Sequence, residues 1–382
     1  MHVGDDRLSV IIDLRYGIPA ISSWGRPVGQ PEQGDLENIA RGVERPIEHG
    51  GLDIISPLTL VSLHSSGSFA RPGLEGHRPG GRHWAPVFSL CDVSATPTSL
   101  TTTSRDDVAE LEVRCELSLR RGVLVVSATL INHGSTRYLL STFGLTLPLD
   151  QRACEIVSLG GRWARESHLE SVSFTGNHLF ETRTGRSSHE RQPSFWFVGP
   201  GTTHQRGEVW STHLAWSGNH SITAQYLPDG RRCVQLGELL HPGELCLEPG
   251  EQYSTPEVIA TYSPYGLSGT AANLHQFIRA DRKVTGPRKV VMNTWESVYF
   301  DHDLDVLFEL ARRGARVGVE RFVLDDGWFG ARRSDRSGLG DWVVSEDVYP
   351  HGLAPLIEHV ESLGMDFGIW VEPECVNEDS DV

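Results

Sequence analysis

From Leu111 onward the chain alternates apolar and polar residues: Leu111, Val113, Cys115, Leu117 and Leu119 share one face. After Arg120-Arg121-Gly122 the alternation resumes with Leu124, Val126, Ala128 and Leu130. A period of two buries one face of a strand and solvates the other, so this stretch predicts an antiparallel hairpin turned at Arg120–Gly122. Shorter apolar runs at 138–147, 209–216, 221–226 and 257–262, separated by Gly, Pro, Asn and Asp clusters, predict further strands. Many short strands with frequent turns point to a large β-sandwich over residues 1–265.

The pattern changes near residue 266. Leu274, Phe277 and Ile278 form a short helical stripe that Val284-Thr285-Gly286-Pro287 breaks, so 266–288 reads as a helical linker. Three compact apolar strands follow, at Val290–Asn293, Arg321–Leu324 and Phe367–Val371. Between the first two lies a helix with Leu304, Leu307, Phe308 and Ala311 on one face and Gly314 as its expected C-terminal cap. A second helix carries Leu353, Leu356, Ile357, Val360 and Leu363 and closes at Gly364. Strand–helix–strand–helix–strand is the sequence form of a parallel α/β unit. Polar residues gather after each strand: Trp295-Glu296, then Asp325-Asp326-Gly327-Trp328, then Glu372-Pro373-Glu374. In (β/α)₈ barrels the active site sits at these C-terminal strand ends, and residues 289–382 fit the first three β/α units of such a barrel. A whole barrel takes about 250 residues, whereas 382 − 288 = 94 follow Arg288.

Composition narrows the chemistry. With 34 Lys+Arg against 50 Asp+Glu the formal net charge is −16, which disfavours nucleic acid or an anionic membrane surface as a partner. The sequence has no apolar run of about 18 residues, and Met1–Arg7 has no basic segment leading into an apolar one; a soluble, cytoplasmic chain is expected. Six scattered cysteines without a CxxC pair read as packed thiols rather than a disulfide framework or a zinc site. Asp301-His302-Asp303-Leu304-Asp305 lacks the glycine and distal glutamate of a calcium loop and reads as a helix start. His351 and His359 form no HExxH pair, and Gly338-Leu339-Gly340 lacks the third glycine of a dinucleotide loop. No metal and no cofactor is expected.

At the strand ends the chain resembles the bacterial α-galactosidases of glycoside hydrolase family 36. Asn293-Thr294-Trp295-Glu296-Ser297-Val298-Tyr299-Phe300 is similar to that family's first-strand motif. Phe322 to Gly330 resembles its second-strand signature, Gly340-Asp341-Trp342 the segment after it, and Phe367 to Glu374 its third strand. Gly207-Glu208-Val209 and Trp216-Ser217-Gly218-Asn219 are similar to strands of its N-terminal β-supersandwich. The resemblance implies a retaining α-galactosidase acting on terminal α-linked galactose, as in melibiose or raffinose, and a homo-tetramer when complete. It also implies that Asp325 and Asp326 hold hydroxyls of the galactose while Trp295 and Trp370 pack along it, with Glu372 as a further candidate contact. The residues agree with a binding role: neighbours on a strand point to opposite sides, so the Asp pair is badly placed to flank one bond about 5–5.5 Å apart. Two carboxylates are well suited to accept from sugar hydroxyls.

The family's nucleophile and acid/base belong to the fourth and sixth strands, and neither motif occurs here, so both are expected beyond Val382. The 382-residue chain alone is expected to be inactive and, with open strand edges, poorly soluble. Gly67-Ser68-Phe69-Ala70-Arg71-Pro72 lacks the Asp found in the corresponding loop of many relatives. Three other readings remain open: a transglycosylase or α-N-acetylgalactosaminidase of the same family, a non-catalytic carbohydrate-binding protein, and a metal-dependent barrel hydrolase. Trp295-Glu296 at the first strand end, where metal ligands would be needed, ranks the last of these lowest.

Overall fold

The computed structural model describes residues 1–47, 49, 53–281 and 286–381. The expected helix breaker at Val284-Thr285 lies outside the described residues. The chain divides into two compact units, Met1–Arg282 and Lys283–Val382.

The alternating stretch forms the predicted hairpin, Leu111–Arg120 paired antiparallel with Val123–Asn132 and Leu117 opposite Val126. Arg121 and Gly122 both take left-handed φ, 56° and 76°, as a two-residue hairpin turn with matching twist requires. The Gly122 N–H donates to Asp5 Oδ2 at 2.7 Å, tying the turn to the N-terminal strands. This hairpin lies inside a ten-stranded sheet that runs from Arg165–Ser173 at one edge to Ser89–Thr96 at the other. A four-stranded sheet contains His220–Tyr226 and Arg232–Glu238, and two three-stranded sheets complete the unit. Side chains from all four sheets, among them Ile12, Leu117, Val126, Tyr138, Ile222 and Val234, meet in one apolar core.

Two helices in this unit differ from the sequence expectation. Gly266–Asp281 is no bare linker: Phe277 and Leu274 pack on Val123, Val125 and Ile259. That contact covers the second face of the hairpin strand, which explains why Val123 to Val126 are all buried despite the alternation that follows. Gln33–Gly42 is a helix that the sequence reading did not identify; its Leu36, Ile39 and Ala40 share one half-buried face. Cys115 and Cys233 are buried, and burial pushes both thiols up to about 12, whereas Cys91 and Cys375 are exposed rather than packed.

In the second unit three parallel strands, Val291–Asn293, Arg321–Leu324 and Asp366–Ile369, lie in that order, with Met292, Phe322 and Phe367 in register. The third strand is shorter than its apolar run, because Trp370 and Val371 already lie in the following loop. The helix Leu304–Arg316 starts where Asp303 accepts from the Val306 N–H at 2.9 Å. Gly314 is not its cap. A Cβ there would lie 3.1 Å from Met292 Sδ, so this glycine lets the buried helix face approach the first strand. The left-handed residue beyond the helix is Gly318, at φ 93°. Ala354–Ser362 forms the second helix, followed by Gly364 at φ 81° as the sequence suggests. Leu307, Ala311, Phe322, Leu324, Leu356 and Val360 make the core beneath. The outer strands leave apolar surface uncovered, Val291 at 53% and Ile369 at 41% exposure.

Candidate functional site

Short backbone ties join the first two strand ends. Thr294 is fully buried; its N–H donates to the Val323 carbonyl at 3.1 Å and its hydroxyl oxygen accepts from the Asp325 N–H at 3.0 Å. Asn293 works in both directions: its Oδ1 accepts from the Trp295 N–H at 2.8 Å, and its Nδ2 donates to the Asp325 carboxylate. The third strand end joins through Trp370, whose N–H donates to the Leu324 carbonyl at 2.9 Å. The Trp370 carbonyl in turn accepts from Trp328 Nε1 at 2.9 Å. Asn293, Trp295, Asp325 and Trp370 are thereby set in one connected frame.

The two aspartates diverge, as neighbours on an extended chain do. Asp325, 7% exposed, turns toward Asn293, and its Oδ1 accepts from the Asp326 N–H at 2.8 Å. Asp326, 5% exposed, turns the other way and accepts a two-pronged grip from Arg332, with Nε at 3.0 Å and Nη2 at 2.8 Å. Gly327 supplies the left-handed φ of 103° that turns the chain after the pair, and a Cβ there would come within 3.2 Å of His302 Nε2. The Asp-Asp-Gly segment is thus both a strand-end turn and a pair of buried carboxylates.

Aromatic rings surround this frame. Trp295 is half-buried, with Tyr299 and Phe300 edge-on at 5.1 Å. Trp328 is buried in the core, consistent with a packing role, and Trp342 lies between Phe329 at 4.5 Å and Trp370 at 6.2 Å. Glu372 is half-buried in the loop after the third strand, and among the described residues it has no hydrogen-bond or ion-pair partner. Sequence reasoning did not find Thr294, Arg332 or the pair His302–Tyr349. His302 Nδ1 lies 2.7 Å from the Tyr349 hydroxyl, and burial lowers the imidazole below its ordinary value while raising the phenol. The Tyr299 hydroxyl donates to Glu296 Oε2 at 2.9 Å, and that bond holds its proton more tightly. Among the described residues no three His, Cys, Asp or Glu side chains gather as metal ligands. A cavity of about 450 Å³ in the β unit, lined by Tyr16, Trp24, Ile39 and Arg232 among others, involves none of the predicted site residues.

The family model described as the glycosyl hydrolase family 36 N-terminal domain matches residues 17–248, and the Melibiase model matches 252–382. The chain belongs to glycoside hydrolase family 36. It is 45% identical over 365 residues to an α-galactosidase of Escherichia coli, covering 94% of this chain and 51% of that one. It is 35% identical over 269 residues to α-galactosidase AgaA of Geobacillus stearothermophilus, covering 68% of this chain and 36% of that one. A crystal structure of an AgaA variant in complex with raffinose superposes with a TM-score of 0.89 at 27% identity, covering 100% of this chain and 57% of that one. The family 36 chain therefore spans about half the length of the curated relatives it matches, or less.

Proposed function

We propose that these residues are the N-terminal part of a retaining α-galactosidase and carry the galactose-holding side of its active site. The observation that carries this reading is the bonded frame at three successive parallel strand ends. Asp325 stands there as a buried, acceptor-only group between Trp295 and Trp370 in the chain's motifs, which suits an axial-and-equatorial set of sugar hydroxyls over an apolar ring face. The three parallel strands are read as the start of a (β/α)₈ barrel, and the first unit as the β-supersandwich that precedes it. The exposed apolar side chains Val291 and Ile369 support further strands packing on both edges of the sheet.

The chemistry then needs two more carboxylates about 5–5.5 Å apart, one attacking the anomeric carbon and one protonating the leaving oxygen before activating water. The resemblance to the family assigns both catalytic groups to other strands of the barrel, and Asp325 and Asp326 are held instead by Asn293 and Arg332. The substrate is a terminal α-galactoside of the melibiose or raffinose type, in keeping with the raffinose complex of AgaA.

The test is hydrolysis of p-nitrophenyl α-galactoside by the full-length protein, its Asp325→Ala variant and the 382-residue chain. Turnover by the first, with kcat/KM at least about a hundredfold lower in the second and none in the third, is the expected result. A full-length protein that binds galactose without turning over any α-galactoside would instead be a carbohydrate-binding protein. Full activity in the 382-residue chain would refute the placement of the catalytic carboxylates.

A further inference from the structure

We infer that Arg332 is a positioning residue for the galactose site, a single buried guanidinium that fixes the loops following all three parallel strands in one arrangement. The inference rests on the α-galactosidase reading above.

Arg332 is 4% exposed although it lies in the irregular segment between the second strand and the second helix. A buried guanidinium is tolerated only when its donors are matched, and here the partners come from every side. Nε and Nη2 hold the Asp326 carboxylate, which follows the second strand. Nη1 donates to the Ser337 carbonyl at 3.2 Å and to Asn377 Oδ1 at 3.1 Å, and Asn377 follows the third strand. The guanidinium carbon lies 5.4 Å from the ring centroid of Phe300, which follows the first strand, within cation–π range.

Each arm continues toward a residue proposed to meet the sugar. Phe300 stands edge-on to Trp295 at 5.1 Å. The Asp326 backbone N–H donates to Asp325 Oδ1, so the backbone at the residue Arg332 grips also holds the Asp325 carboxylate. Asn377 also exchanges two hydrogen bonds with Leu339, through its Oδ1 and its own N–H, each at 3.0 Å, which closes the segment over the loop beyond Trp370. Neighbouring Arg333 shares none of this: it is exposed and donates to Gly327 O and Ser345 Oγ. Lysine cannot replace this set, because an ammonium offers no planar fork and no flat face to stack.

The experiment compares full-length wild type with Arg332→Lys, Asn377→Ala and Phe300→Leu, measuring KM, kcat, galactose inhibition and the thermal midpoint. If the wild type does not hydrolyse α-galactosides, the functional reading fails and this inference fails with it. With an active wild type, Arg332→Lys should raise KM and the galactose inhibition constant in parallel by about tenfold, with kcat within about threefold, because grip on the sugar is lost in ground and transition states alike. Asn377→Ala and Phe300→Leu leave the Asp326 pair intact and should raise KM in the same direction, which a purely structural pair would not produce. If Arg332→Lys does not fold, those two variants decide the matter. Unchanged KM in both, or a wild-type KM in folded Arg332→Lys, overturns the inference while leaving the α-galactosidase reading standing.

Discussion

Asp326 and Arg332 form the most consequential ion pair of the second unit, and cutting it from either side should be expensive. Their side chains are 7% and 5% exposed, so solvent cannot replace a lost partner. Removing one member of a buried pair leaves an uncompensated charge and costs about 3–5 kcal/mol, whereas replacing both by apolar groups is often close to neutral. Asp326→Ala and Arg332→Met should therefore each destabilise by about 3–5 kcal/mol. In the double variant the charge penalty disappears. What remains is the loss of the Asn377 and Ser337 hydrogen bonds, about 1–3 kcal/mol in all. The cycle should accordingly show a coupling of at least about 3 kcal/mol, well beyond the ~0.5 kcal/mol scatter of independent sites. Urea unfolding followed by tryptophan fluorescence reads this directly, since Trp328, Trp342 and Trp370 lie in or against the same core. Additive losses in the double variant would refute the picture of a closed, desolvated pair.

Two further outcomes follow from local geometry. Asp303→Ala removes the side-chain acceptor for the Val306 N–H and should lower stability by about 1 kcal/mol, measured by the urea midpoint, with Asp303→Ser close to wild type. His220 is buried and His213 half-buried, and desolvation lowers both below the ordinary 6.5. The folded state binds their protons less well than the unfolded chain, so their contribution is full above about pH 6.5 and shrinks as pH falls below it. Urea midpoints should drop between pH 7.5 and 5.5, and the double His→Gln variant should flatten that slope; an unchanged slope would mean that other groups set it.

The regular elements were legible because their periodicity is strong. The hairpin at Leu111–Asn132 alternates along most of both strands, and the parallel strands are short apolar blocks between helices with well-spaced stripes. Gly314 was misread because a glycine near a helix end has two physical uses, a left-handed cap and a close approach, and only packing against Met292 distinguishes them. The helix Gln33–Gly42 went unread although Leu36, Ile39 and Ala40 share one face, because the stripe is a single turn long between polar residues. In the site, the motifs singled out Trp295, Asp325, Asp326 and Trp370, and three of these four share the bonded frame through Asn293 and Leu324. Arg332 had no periodic context, yet one signal existed. Two consecutive aspartates after an apolar strand cannot both be buried without a cation, and Arg332 is six residues beyond the second.

A crystal structure of the full-length protein soaked in galactose tests the central claim most directly. The account predicts galactose at the C-terminal ends of the three parallel strands, with hydroxyls about 2.6–3.2 Å from the Asp325 carboxylate and the ring between Trp295 and Trp370. Galactose bound in the β unit, with the Asp325 carboxylate still closed by Asn293 and no sugar beside it, would contradict the account.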